Sequence, residues 1–414
     1  MRHVRDLTSL ILAMTLLQLA AGVMGVLLPL SLDNAGASET AIGLTATAYA
    51  VGFLAGGIYA PSMMARMGAI RAYAAFAAAA AAITLALYWR IDAWSWAVLR
   101  ALLGFCFVGL FTVAESWMSV ATPAHSRGSV LGVYHVVTKV ALLGGPFLIL
   151  GVAPLSAGPF MLTAGIVAIA MIPLCWTRQI EPAPPTPEPF PLTRLWRLAP
   201  GAVIACFAAG VLNAGLIALL PIYAAELPGE AVTTAAVLQA AAWIGGIVIQ
   251  WPAGRISDII DRRLVIAALA AISALGVGVL AAFGTAAPFW LAFAALGAWG
   301  AGSLSFYGVA VAHATDHIEA KNISKAIAGL LIVYGIGAIV GPSLYGGAMQ
   351  AFGARGLFVL ATAGGALLAV TMLLRTRIIP AVDREDKEEF AFAPGSGSPA
   401  ISEAHPAAET AEQA

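Results

Sequence analysis

The chain has 414 residues, 61% of them hydrophobic and 10% charged, with a mean hydropathy of +0.90, where a soluble domain carries roughly a quarter charged residues. Its formal net charge is zero with no basic run, which argues against nucleic acid as a partner. Cys106, Cys175 and Cys206 sit far apart in separate apolar stretches, so neither a disulfide framework nor metal spacing can be read from them. A membrane, and not water, is the expected solvent.

A spanning helix needs about 20 apolar residues, and apolar runs between polar or Pro/Gly punctuation give twelve such spans. Span 1 covers 8–32; it is too long for a signal-peptide core and lacks a cleavage site before the next span, so it is read as retained. It is followed by 40–63, 69–89, 94–118, 129–152 and 158–177. The connection 178–198 contains Pro182, Pro184, Pro185, Pro187, Pro189 and Pro191 and reads as an extended linker. Spans 7 to 12 cover 199–225, 233–253, 264–284, 287–311, 325–350 and 356–375. A tail, 377–414, mixes acidic residues with Gly, Ser, Pro and Ala and is expected to be disordered. The fold expected is an all-α polytopic membrane protein, with twelve transmembrane helices in two pseudo-symmetric six-helix bundles, 1–177 and 199–376.

Lysine and arginine fix an orientation, because short cytoplasmic loops are enriched in them. With the N-terminus inside, seventeen fall on one side, from Arg2 and Arg5 to Arg384 and Lys387, against Arg90 and Arg355 on the other. Both termini are therefore expected in the cytoplasm of a bacterial cell, with the protein multi-pass in the inner membrane.

Several features recur at an offset of about 192 to 197 residues. Leu27-Leu28-Pro29-Leu30 answers to Leu219-Leu220-Pro221-Ile222, and Gly57 with Arg66 answers to Gly254 with Arg263. Gly104 and Gly109 answer to Gly297 and Gly302, and Gly145-Pro146 to Gly341-Pro342. Their common order points to a parallel duplication of six helices.

The segment Gly254-Arg255-Ile256-Ser257-Asp258-Ile259-Ile260-Asp261-Arg262-Arg263, placed in the loop between spans 8 and 9, resembles the loop signature of the major facilitator superfamily. In that family the loop is understood as a latch that holds the outward-facing state, so the resemblance implies a latch of Gly254, Asp258, Asp261, Arg262 and Arg263. The plainer alternative is anchoring of basic residues at the phosphate surface. The first-half copy keeps Gly57 and Arg66 but has Pro61 where the acid would stand. Arg100 with Gly104 is similar to the family's arginine-glycine motif, linked there to proton coupling. Gly145, Pro146, Gly341 and Pro342 resemble its glycine-proline motif and are expected to bend helices. Glu115-Ser116-Trp117 is similar to a segment of a YcaD-like bacterial branch.

Arg100, Glu115 and Lys139 lie well inside spans, where a charge costs about 2.5–3.5 kcal/mol on insertion scales and commonly marks function. They are the coupling candidates, with contact between Glu115 and His135 or Lys139 open to the antiparallel geometry of spans 4 and 5. A fixed salt bridge between the two helices is the structural alternative. Gln18, Asn213, Gln239, Trp243, Tyr307 and Tyr334 are mid-span candidates for lining a substrate pocket, by analogy with the family. Its otherwise apolar lining favours a neutral, amphipathic or weakly charged solute. His313 and His317, beside Asp316 and Glu319, are the nearest approach to metal spacing.

The function expected is secondary active transport of a small solute by alternating access, with protons as the candidate coupling ion and with no cofactor, no metal and no enzymatic activity. The chain is expected to act as a monomer in contact with lipid. A non-transporting sensor or assembly factor on the same scaffold is the alternative.

Overall fold

A computed structural model describes residues 2–121, 127–175, 191–378 and 387. Eleven helices among the described residues are long and apolar enough to cross a membrane, and the shorter apolar stretch Val136–Ile149 accounts for the remaining expected span. Helices are the physical answer to hydrocarbon, because they satisfy their own peptide groups where water cannot. The outer surface is correspondingly apolar: Leu275 is 74% exposed, Leu367 68% and Val248 60%.

Among the described residues the chain divides into two compact units. The first holds residues 2–37, 48–121 and 127–175. It is built from α1 (Arg2–Asn34), most of α2 (Glu39–Met67), α3 (Ala69–Trp89), α4 (Ala93–Ala121), α5 (Arg127–Gly144), α6 (Ala157–Ile169) and α7 (Met171–Cys175). The second holds 38–47, 191–378 and 387, with α8 (Leu192–Leu198), α9 (Pro200–Ala225), α10 (Ala231–Ile259), α11 (Arg262–Phe283), α12 (Phe289–Ser303), α13 (Phe306–Thr315), α14 (Ile323–Phe352) and α15 (Ala354–Ile378).

Local sequence explains most boundaries. Glu230 caps α10 by accepting from the amides of Val232 and Thr233 at 3.0 and 2.7 Å, and these bonds hold its carboxyl below its ordinary range although burial pushes the other way. A single glycine with positive φ reverses the chain between α14 and α15, Gly353 at φ 65°.

Helix packing rests on a motif that occurs twice in each unit. Each of two crossing helices carries a glycine, and the space a Cβ would fill is taken by the carbonyl oxygen three residues before the partner's glycine. In the first unit Gly52 faces Ala101 O and Gly104 faces Tyr49 O, while Gly22 faces Leu142 O and Gly145 faces Leu19 O. In the second, Gly245 faces Gly297 O and Gly300 faces Ala242 O, while Gly210 faces Tyr334 O and Gly337 faces Phe207 O. Small residues that admit backbone contact are what hold helices together in lipid. Gly145 and Gly341 also meet matching backbone, Leu19 O and Val211 O, 192 residues apart as are Pro29 and Pro221.

Four expectations change with the structure. Span 5 does not continue through Gly145-Pro146: α5 stops at Gly144 and a 3-10 turn, Gly145–Ile149, follows, as expected where proline removes an amide donor. Pro342, by contrast, lies within an unbroken α14. Span 10 is two helices, parted at Leu304 and Ser305, where the Ser305 hydroxyl donates to Gly246 O at 3.2 Å. Residues Ser38–Thr47 belong to the second unit, since the Thr47 hydroxyl bonds Ser343 Oγ at 2.6 Å and a Cβ on Gly43 would strike Pro342 O. The proline run of the linker and the tail beyond Ile378, Lys387 excepted, lie outside the described residues; the last linker residues, Leu192–Leu198, are helical around a buried Leu195.

These contacts separate two glycines on one helix. Gly52→Ala forces α2 away from α4 and is expected to cost about 1–3 kcal/mol of stability, whereas Gly57→Ala, whose nearest neighbour would be Val108 Cγ2 at 3.9 Å, leaves the protein unchanged or slightly more stable. Unfolding midpoints of the two variants in detergent check the ordering.

Candidate functional site

The segment expected to be a loop is mostly helix. Gly254 to Ile259 form the last turns of α10, only Ile260 and Asp261 connect, and α11 begins at Arg262. Near the end of α10 the Ser257 hydroxyl turns back on Gly254 O at 2.6 Å, and Asp261 caps the next helix, accepting from the Arg263 amide at 2.9 Å. Arg262 is 1% exposed and is the hub of the site. Its Nε and Nη2 donate to the two Asp316 oxygens at 2.7 and 3.1 Å, while Nη1 reaches Ser257 Oγ and Asp258 Oδ1, each at 3.1 Å. This two-point fork on a carboxylate is the geometry arginine is built for.

Arg263 turns the other way. It pairs with Asp261 at 2.6 Å and donates through Nη1 to Arg375 O at 3.0 Å, tying α11 to the last turn of α15. Burial alone would raise the Asp261 carboxyl, but the hydrogen bonds and charge of Arg263 outweigh it and hold the group below the ordinary carboxylate range. The His313 ring meets His317 edge-on at 4.9 Å, and His317 Nδ1 lies 2.8 Å from His313 O. Lys387 donates to Ile260 O at 2.6 Å, at the C-terminal end of α10. Its ammonium is shifted down by burial and by Arg262, a shift opposed by the nearby Asp316, Asp261 and Asp258. Asp261, Arg262, Arg263, His313, Asp316, His317 and Lys387 line one small cavity. Among the described residues no three His, Cys, Asp or Glu side chains gather as a metal site would require.

The structure thus joins Asp258 and Arg262 to a partner the sequence motif does not contain, Asp316, just beyond α13. A signal was available: a guanidinium buried between helices requires a carboxylate, and Asp316 stands at the matching end of the neighbouring span. Gly254 is buried in α10 but makes no side-chain contribution.

Arg100 and Glu115, fifteen residues apart on α4, stand about 22 Å from each other along the helix. Glu115 is 3% exposed and accepts from the Tyr134 hydroxyl at 3.2 Å, a partner sequence reasoning overlooked. Lys139 is half-buried further along α5, and the side chain of His135 lies outside the described residues. Arg100 lies over the Tyr49 ring, its Cζ 5.6 Å from the centroid. In the second unit Asn213 Oδ1 accepts from Ser303 Oγ at 2.6 Å, and the rings of Tyr307 and Tyr334 meet at 5.2 Å. The Tyr307 hydroxyl is buried with no hydrogen-bond partner among the described residues. Gln239 is buried on α10, with Trp243 half-buried one turn on, while Gln18 is half-buried on α1.

A family model described as Major Facilitator Superfamily matches residues 10–251 and 203–407. An MFS-type transporter, YcaD, of Salmonella heidelberg strain SL476 is 26% identical over 375 residues, covering 90% of this chain and 96% of the relative. The nucleoside transporter NupG superposes with a TM-score of 0.71 at 13% identity, covering 89% of this chain and 98% of its own. A D-xylose-proton symporter does so with a TM-score of 0.68 at 14% identity, covering 92% and 99%.

The carboxylates around Arg262 and Arg263 are expected to differ sharply in worth. Asp316→Asn leaves Arg262 short of its buried counter-ion and should lower stability by about 3–5 kcal/mol, whereas Asp258, 32% exposed, should cost under about 1 kcal/mol as Asp258→Asn. Thermal unfolding in detergent ranks them. Asp261 adds a pH dependence with a defined sign: its depressed folded-state pKa stabilises the protein above the unfolded value of about 3.9, and that contribution is lost as pH falls through the lower folded value. Melting curves taken across the acid range should show the loss in the wild type and its absence in Asp261→Asn.

Proposed function

The chain belongs to the Major Facilitator Superfamily, and from that premise we propose that it is a secondary active transporter moving a small solute across the bacterial inner membrane by alternating access, with proton coupling through Glu115. The observation that carries the coupling is a carboxylate buried to 3% exposure on a membrane-crossing helix and hydrogen-bonded by a tyrosine hydroxyl. Ionisable groups inside membrane spans commonly mark proton pathways. A proton symporter among the proteins of the same fold is consistent with this.

In this reading both termini face the cytoplasm, as the distribution of lysine and arginine argues. The Arg262 cluster is then a cytoplasmic latch: its buried pair with Asp316 joins α11 to the end of α13, and Asp258 adds the end of α10. Two-state rearrangement of packed helices requires contacts that are made in one state and broken in the other, and a charge fork is well suited to that. Asn213, Tyr307 and Tyr334, with Ser303, form the polar patch of the second unit that would meet the solute, the partnerless Tyr307 hydroxyl being ready to accept or donate a hydrogen bond.

Proteoliposomes holding the purified protein, given a metabolite mixture and an imposed proton gradient, test the proposal. At least one solute is expected to accumulate. Glu115→Gln should reduce gradient-driven accumulation by about tenfold or more, the usual scale for losing a proton-transfer group, while exchange without a gradient persists. If no solute moves under either a proton or a solute gradient, the protein is a sensor or assembly factor and the transport reading fails.

A further inference from the structure

Arg100 has no carboxylate partner among the described residues: its contact there is the face of Tyr49. It sits seven residues into α4, about 10 Å from the start of the helix at 1.5 Å per residue. Glu115, on the same helix, is fifteen residues and so about 22 Å away, beyond reach. A guanidinium at membrane depth is costly, and a cation–π contact offsets only part of that cost. The charge is left only partly compensated.

The surroundings fix which part of Arg100 can act. Its Nε is buried and without a hydrogen bond, although the residue as a whole is only half-buried. The sealed Nε leaves the far edge, Nη1 and Nη2, as the face open to a ligand. The Tyr49 backbone is held against α4, its carbonyl filling the site of the absent Gly104 Cβ, one turn along α4 from Arg100. A rigid aromatic plate therefore holds a guanidinium with one pair of parallel N–H donors free. Two such donors match the two oxygens of a carboxylate.

We propose that Arg100 is an anion-binding residue for the transported solute, and that the solute is an organic monoanion whose carboxylate is held end-on by Nη1 and Nη2. The inference rests on the transport reading and narrows it from weakly charged solutes in general to carboxylates. Tyr49 acts as a positioning residue that keeps the fork aimed.

Matched acids and amides test it on the full-length protein in detergent: lactate with lactamide, benzoate with benzamide, nicotinate with nicotinamide. Ligands that bind the folded state raise its unfolding midpoint. At least one acid is expected to do so while its uncharged amide does not. Arg100→Gln should abolish the rise, and Arg100→Lys, which keeps the charge but not the fork, should need about tenfold more acid, as loss of a two-point charge-assisted bond implies. The proposal is overturned if an amide stabilises as well as its acid, if no acid stabilises the wild type, or if Arg100→Gln responds like the wild type. Accumulation of an uncharged solute in proteoliposomes would also overturn it while leaving the transport reading intact; that reading fails only if nothing is moved.

Discussion

A peptide group inside a bilayer has no water to bond, and the rest of this structure follows from that constraint. It makes the spans helical, and it also removes the force that would otherwise hold helices together, since lipid tails are as apolar as leucine. The chain replaces that force with proximity. Four reciprocal glycine pairs bring backbone against backbone, two in each unit and at corresponding crossings. Tyr49 is aimed by the Gly52–Gly104 crossing, and Tyr334 supplies the carbonyl that Gly210 packs against.

The two units put charge to different uses. In the second, charge collects at helix ends, where Arg262 and Arg263 are saturated with partners and α10, α11, α13 and α15 are tied together. Such a cluster is stiff until one partner is withdrawn and then loses much of its stability at once, because a buried ion left alone is costly. In the first unit charge lies at membrane depth. Glu115 has a neutral hydroxyl for company and Arg100 an aromatic ring.

The spans themselves were legible because hydrophobic length is a one-dimensional property: the third matches at 69–89 and the seventh to within a residue. The breaks at Gly145-Pro146 and at Leu304 were not resolved by hydropathy, which does not change across them. The motif from Gly254 to Arg263 announced its importance but not its partner. Asp316 is more than fifty residues away, and only packing brings α11 beside the end of α13. Tyr134 escaped notice for a similar reason, since attention to charge passes over a hydroxyl. The repeat was visible because glycine and proline positions recur in order, and Gly145 and Gly341 meet matching backbone at Leu19 O and Val211 O.

Lys387 joins the second unit's ion cluster from beyond the last span. Among the described residues, Lys387, donating to Ile260 O, adds a cation beside Asp258, Asp261 and Asp316. Residues past the last span are commonly trimmed or replaced by an affinity tag when a membrane protein is prepared for purification. Here a cut just after Ile378 would remove the Lys387 ammonium beside these carboxylates along with the tail. The shortened protein would then be a charge variant at the junction of α10 and α11 as well as a truncation, so where a preparation ends its chain becomes a variable in any measurement made on that junction.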